Sequence, residues 1–128
     1  MSSKVAMLLL VSLAVVAVNG QGNQCVPLGG RLLSICDAEL SFLREIYPLD
    51  STAPPTAAQV QQVTDTKPAD LPTEACCTAV KAFDGARCPC DASIPTLLGT
   101  LGLSTTSTGL QGVTSFTGPL CKFTPVTC

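Results

Sequence analysis

The chain has 128 residues, with seven basic and nine acidic side chains, eight cysteines and no histidine. A net charge of −2 gives neither an electrostatic footprint for nucleic acid nor a polybasic patch for anionic lipid head groups. Because histidine is the commonest general base and metal ligand, its absence argues against an enzyme and against a metal site. We expect a protein without catalytic residues, metal or other cofactor.

The N-terminal segment predicts a secretory signal peptide over residues 1–20. Lys4 precedes an apolar run over 5–18, and the small residues Val18 and Gly20 stand where signal peptidase cleaves. A cut after Ala17 is the alternative. The run is shorter than the roughly 18 to 20 residues of a membrane span. We therefore expect one domain over residues 21–128 without a membrane-spanning segment, secreted to the extracellular space, or to the cell wall of a plant-like source.

The first predicted helix covers residues 28–47. Six apolar positions recur there at steps of three or four, which is the stripe of an amphipathic helix. These positions are Leu28, Leu32, Cys36, Leu40, Leu43 and Tyr47. Pro48 ends the helix because its ring cannot continue the hydrogen-bond ladder. Asp37 and Glu39 are the most obvious carboxylate pair for acid-base chemistry, but at a spacing of two they point apart on a helix.

An insert over residues 48–72 follows, and it predicts a long irregular loop between the first two helices. Five of the ten prolines lie in it, among Ser, Thr, Asp and Gln. The patch 57–63 predicts one weak helical turn at most, since its glutamines Gln59, Gln61 and Gln62 offer little to bury. Without evidence of a binding partner, we expect this segment to be a surface insertion that the fold tolerates.

The second and third predicted helices are short. Pro72 and Glu74 mark the first turn of the second helix, where free N–H groups and the helix dipole favour them, and Gly85 closes it. The third helix begins at Cys88 or at Ser93, and its apolar stripe runs to Leu101 before Gly102.

A marginal fourth helix is predicted near the C-terminus. Residues 103–117 are rich in Ser, Thr and Gly, which have poor helix propensity. Nevertheless Leu110, Val113, Phe116 and Leu120 recur at helical steps. Residues 122–128 predict an extended tail. No alternating strands are visible, so the elements together predict an all-α fold.

The cysteines carry the most specific pattern in the chain. Their order is Cys25, Cys36, the doublet Cys76-Cys77, the C-x-C of Cys88 and Cys90, then Cys121 and Cys128. This order resembles the eight-cysteine motif of the plant lipid transfer protein, seed albumin and amylase/protease inhibitor superfamily, and its spacing is closest to the smaller class of non-specific lipid transfer proteins. The resemblance implies a small four-helix, right-handed superhelical bundle stapled by four disulfides.

The resemblance also implies a disulfide pairing, in which Cys36–Cys76 and Cys77–Cys121 are common to all classes. The smaller class adds Cys25–Cys88 and Cys90–Cys128, whereas the larger class has Cys25–Cys90 and Cys88–Cys128. The short spacers around the C-x-C and the final cysteine favour the smaller class. Both alternatives stay open, because connectivity does not follow from sequence alone.

Members of the lipid transfer class hold acyl chains in a tunnel of aliphatic side chains, so the resemblance implies a monomeric protein that binds a fatty acyl lipid. The candidate lipid-binding residues are Leu40, Leu43, Val80, Phe83, Leu97, Leu101, Val113, Phe116, Phe123 and Val126. The alternative for each is an ordinary core position, because apolar periodicity reports burial.

A second functional hypothesis comes from the 39 residues between Cys36 and Cys76, a spacer more than twice as long as is usual in the superfamily. A proline-rich insert of this kind is suited to serve as the exposed bait of a protease or amylase inhibitor, because proline limits its freedom before binding. An extracellular interaction protein on the same scaffold is the remaining alternative.

Overall fold

The structure is a computed structural model that describes residues 24–128. This part of the chain contains six α-helices and no β-strand, which confirms the predicted all-α fold. The helices are α1 (Cys25–Ile35), α2 (Asp37–Ile46), α3 (Ala57–Thr66), α4 (Glu74–Gly85), α5 (Ser93–Thr100) and α6 (Ser107–Cys121), with a short 3₁₀ helix at Cys88–Cys90. The predicted signal peptide, residues 1–20, lies outside the described residues. None of the helices in the described part is long and apolar enough to cross a membrane.

The first predicted helix is divided into α1 and α2 at Cys36. The backbone there leaves the helical region, with φ −97° and ψ 22°, at the residue whose sulfur is bonded to Cys76. Hydrogen bonds still run from Cys36 N to Leu32 O and from Leu40 N to Cys36 O, each of 2.8 Å. The apolar stripe therefore continues across a kink, and Leu43 at its far end is buried.

The insert differs from the predicted irregular loop, because residues 57–66 form the ten-residue helix α3. Thr56 and Gln59 make a capping box at its start: Gln59 N donates to Thr56 Oγ1 at 3.1 Å, and Thr56 N donates to Gln59 Oε1 at 2.9 Å. Val63 lies on the inner face and is buried. The prediction of at most one weak turn was therefore wrong. The glutamines give this helix little apolar surface, but the T-x-x-Q sequence provides the capping box that starts it.

Helix α6 is longer than the marginal helix that its composition predicts, with fifteen residues. Thr106 caps it, since Gly109 N donates to Thr106 Oγ1 at 2.9 Å. Three of its glycines allow close approach of other segments: Gly109 to the backbone of Leu49, Gly112 to the ring of Tyr47, and Gly118 to Pro125. Tertiary packing thus offsets the poor intrinsic propensity of α6.

The interior consists of two apolar clusters. The first joins α1, α4 and α5 around Leu32, Phe83 and Ile94. The second joins α2, α3 and α6 around Tyr47 and Phe116, whose ring centroids lie 5.4 Å apart. Leu40 packs against both clusters, so it stands at the boundary between them.

Four disulfides connect these helices and use all eight cysteines. The bonded pairs are Cys25–Cys88, Cys36–Cys76, Cys77–Cys121 and Cys90–Cys128. This is the connectivity that the resemblance to the smaller class implies, and it differs from the larger-class alternative at the C-x-C. Four disulfides in a chain of this size indicate an oxidising, extracellular or secreted setting.

Candidate functional site: an apolar groove

A groove with apolar walls opens between α2, α3, α4 and α6, and we call it the main groove. Helix α2 contributes Leu40 and Leu43, α4 contributes Val80, and α6 contributes Val113 and Phe116. The buried Cys36–Cys76 disulfide forms part of the same wall. The scaffold around the groove is therefore covalently closed at the point where α1, α2 and α4 meet.

The insert supplies the remaining wall of the main groove. Val63 comes from α3, and Lys67, Leu71 and Pro72 come from the segment that leads from α3 to α4. None of these four residues is among the sequence-predicted candidates. The spacing of Val60 and Val63 behind the T-x-x-Q cap is the signal that identifies the inner face of α3, but it says nothing about the partner of that face.

The main groove is narrow, with about 40 Å³ open to the centres of water-sized atoms. One water needs roughly 10 to 15 Å³ on this measure, so the groove has room for only a few such atoms. A long alkyl chain fits only if side chains move outward.

A second space, the rear cavity, lies behind the main groove between α1, α5 and α6. Phe83, Ile94 and Leu98 line it, and about 30 Å³ is open on the same measure. The two spaces share three wall residues, which are Leu32, Leu40 and Val113. Leu40 is only partly buried. Leu40 also packs against both apolar clusters, so it contributes to the walls of both spaces.

The ten candidate lipid-binding residues fall into three groups. Five line the main groove, and Phe83 lines the rear cavity. The other four line neither space: Leu97 is partly exposed, Leu101 is 66% exposed, Phe123 packs against the first apolar cluster, and Val126 belongs to the C-terminal tail. Periodicity placed Leu97 and Leu101 on one helix face but could not show that α5 turns that face away from the groove.

Two charged side chains, Glu39 and Lys67, line the main groove. Glu39 Oε2 accepts hydrogen bonds from Thr73 N at 3.2 Å and Thr73 Oγ1 at 3.1 Å. Thr73 also caps α4, so this carboxylate ties α2 to the positive end of the α4 dipole. Lys67 Nζ donates to the carbonyl oxygen of Leu71 at 2.9 Å. Both charged groups are therefore already hydrogen-bonded, Lys67 to Leu71 and Glu39 to Thr73, in the segment between α3 and α4.

One cluster in the described residues has the composition of a metal site. Ligand atoms of Cys36, Glu39 and Cys76 lie within 4.8 Å of one another. Both sulfurs belong to one disulfide, however, and metal binding by cysteine needs the thiolate. This cluster is therefore part of the covalent scaffold.

The structure defines the class of protein as an all-helical domain with four disulfides and an apolar groove, which is consistent with the eight-cysteine motif. No protein-family model, curated protein or solved structure matches the chain.

Proposed function

We propose that this protein is a secreted, monomeric, non-enzymatic member of the eight-cysteine superfamily that binds a fatty acyl lipid in the main groove and carries it in the extracellular space. The observation that supports this proposal is the apolar groove itself, lined on one side by a disulfide and sharing the wall residues Leu32, Leu40 and Val113 with a second apolar cavity. Each methylene that leaves water for such a site contributes about 0.8 kcal/mol. A chain of a dozen carbons therefore gains enough to offset rearrangement of a few side chains.

The insert gives less support to the alternative of a hydrolase inhibitor or interaction protein. An exposed bait would present its backbone freely, but α3 is held by a capping box and buries Val63. Its flank is also tied down, because Tyr47 Oη donates to the carbonyl oxygen of Ala53 at 2.7 Å. These contacts favour a structural role for the insert as one wall of a binding site.

The proposal is tested with the oxidised protein and the fluorescent fatty acid cis-parinaric acid. We expect its emission to rise on binding and to fall when unlabelled lauric or palmitic acid is added. Val63→Asp places a charge in the groove wall and should reduce binding at least tenfold, since an unpaired charge in an apolar site carries a large desolvation penalty.

Leu101→Asp is the matched control, because Leu101 lies on the surface away from both apolar spaces. Circular dichroism and the free thiol content verify that both variants keep their helices and disulfides. The proposal is wrong if unlabelled lipids of several chain lengths fail to displace the probe, or if folded Val63→Asp binds as well as Leu101→Asp.

A further inference from the structure

We infer that the ligand of the main groove is a single-chain amphiphile with an anionic head group, and that the ammonium of Lys67, supplied by the insert, binds this head at the rim. The inference rests on the proposed function and specifies its ligand. It starts from the position of Lys67, which is one of two charged side chains in a mainly apolar wall, the other being Glu39.

The backbone around Lys67 is well anchored. Lys67 directly follows Thr66, the last residue of α3, and its backbone N–H donates to Val63 O at 3.0 Å. The side chain is half-buried and lines the main groove, while Nζ reaches the Leu71 carbonyl oxygen. This is the usual compromise of a lysine that covers apolar surface with its methylenes and keeps its charge at the boundary with water.

The ammonium has unused capacity for a ligand. Lysine carries three N–H donors, and one of them meets the carbonyl oxygen of Leu71 at 2.9 Å. An oxyanion at the rim can accept from another donor without displacing that contact. Hydrogen bonds between an ammonium and an anionic oxygen are about twice as strong as bonds between neutral groups. A carboxylate or phosphate head therefore gains more from Lys67 than an uncharged head does.

Glu39 is the charge at this groove that opposes an anionic head. Its Oε2 atom is already engaged, because it accepts from both the backbone N–H and the hydroxyl of Thr73. These two donors belong to the capped first turn of α4, which also spreads part of the negative charge onto the helix terminus. Among residues 24–128, the hydrogen-bond partner of Lys67 Nζ is the neutral carbonyl of Leu71, so the two charges are not equivalent toward a ligand.

The groove dimensions restrict the tail. A space of about 40 Å³ for atom centres, widened by side-chain movement, suits one alkyl chain better than the two of a diacyl lipid. The expected ligand therefore has one alkyl chain and one anionic oxygen group. A fatty acid and an alkyl phosphate both meet this description.

The experiment compares three single-chain probes of twelve carbons each, namely laurate, dodecyl phosphate and 1-dodecanol, at pH 7.5 in the oxidised full chain. Their affinities are measured by displacement of 1-aminoanthracene, an uncharged fluorophore. The unmodified protein should bind the two anions about tenfold more tightly than the alcohol. A higher affinity of one anion over the other then distinguishes a fatty acid from an alkyl phosphate as the preferred ligand.

Lys67→Met keeps the apolar stem and removes the charge. It should weaken laurate and dodecyl phosphate about tenfold and leave dodecanol unchanged, whereas Lys67→Arg should retain most of the preference for anions. Lys81→Met is the matched control, because Lys81 is exposed on α4 and does not line the groove. It should leave all three affinities unchanged.

Two results overturn the inference while leaving the proposed function intact: equal affinity of the unmodified protein for dodecanol and the anions, or an equal loss for all three probes in Lys67→Met. Failure of all three probes to bind the unmodified protein would overturn the proposed function as well.

Discussion

Individual atoms determine how closely α6 approaches its neighbours. A Cβ atom at Gly109 would overlap the carbonyl oxygen of Leu49, and one at Gly112 would overlap the ring of Tyr47. At Gly118 it would come within 2.7 Å of Pro125. These are distances that real Cβ atoms do not reach, so the packing of α6 depends on residues without side chains.

We expect Gly109→Ala to lower the free energy of unfolding by about 1 to 3 kcal/mol, because the obstructing atom is backbone and cannot rotate away. Gly30→Ala in α1 is the control, since no atom lies within 4 Å of its added methyl group. That variant should be neutral or stabilised by up to about 1 kcal/mol through helix propensity. Thermal unfolding of the oxidised proteins measures both, and equal stability of the two variants would contradict the packing argument.

The buried carboxylate of Asp84 acts at the same scale on the C-terminal tail. Val126 N–H donates to both of its oxygens, at 3.0 and 3.2 Å. Arg87 Nη2 adds a bond to the carbonyl oxygen of Thr127 at 3.3 Å. The extended tail is therefore held by hydrogen bonds to Asp84 of α4 and to Arg87, in addition to the Cys90–Cys128 disulfide.

Helix α3 is the element through which the insert contributes to the site. It places Val63 in the groove wall and positions Lys67 directly behind its last turn. A ten-residue helix is too short to be stable alone, so the capping box and one buried face must hold it. A weakened α3 should therefore disturb binding before it disturbs the rest of the fold.

Thr56→Ala tests this dependence. Loss of the cap should destabilise α3 by about 1 kcal/mol, increase hydrogen exchange of its amides several-fold and weaken binding of cis-parinaric acid. Thr78→Ala is the control, since the exposed Thr78 hydroxyl bonds only the Glu74 carbonyl within α4. If exchange in α3 is the same in both variants, the capping box does not stabilise the helix.

At the scale of the whole molecule, two of the disulfides allow a matched comparison. Cys36–Cys76 and Cys90–Cys128 span 40 and 38 residues, so a chain-entropy model assigns each about 4 kcal/mol. The first disulfide lines the main groove, whereas the second does not.

Replacing either pair by alanine should lower the melting temperature. The loss should be larger for the Cys36–Cys76 pair, because these cysteines are buried and their missing sulfurs leave a cavity, whereas Cys128 is exposed. Only the double variant Cys36→Ala, Cys76→Ala should also lose binding of cis-parinaric acid. Measurements are made at a temperature where both variants keep their helical circular dichroism. Equal retention of binding by the two folded variants would show that the Cys36–Cys76 wall is dispensable.

Local pattern and chain chemistry are enough to predict several features of this protein. The apolar stripe from Leu28 to Tyr47 predicts an amphipathic helix; the structure divides this helix at Cys36, but the stripe continues across the division. The cysteine order predicts an oxidised helical scaffold and, through resemblance, two possible connectivities. These inferences succeed because helical periodicity depends on residues that are close in the chain, and because cysteine spacing can be counted directly in the sequence.

The apolar faces that meet in the core follow from packing between distant segments. Local propensity treats Gly109 and Gly112 as helix breakers, but close contact with Leu49 and Tyr47 makes them necessary for packing. The glutamines of α3 made its helical character difficult to predict. Its buried face packs against a groove formed by segments that are distant in the chain. The site could not be read in full from the sequence, because its walls join residues far apart in the chain and their contacts arise from packing, not from periodicity.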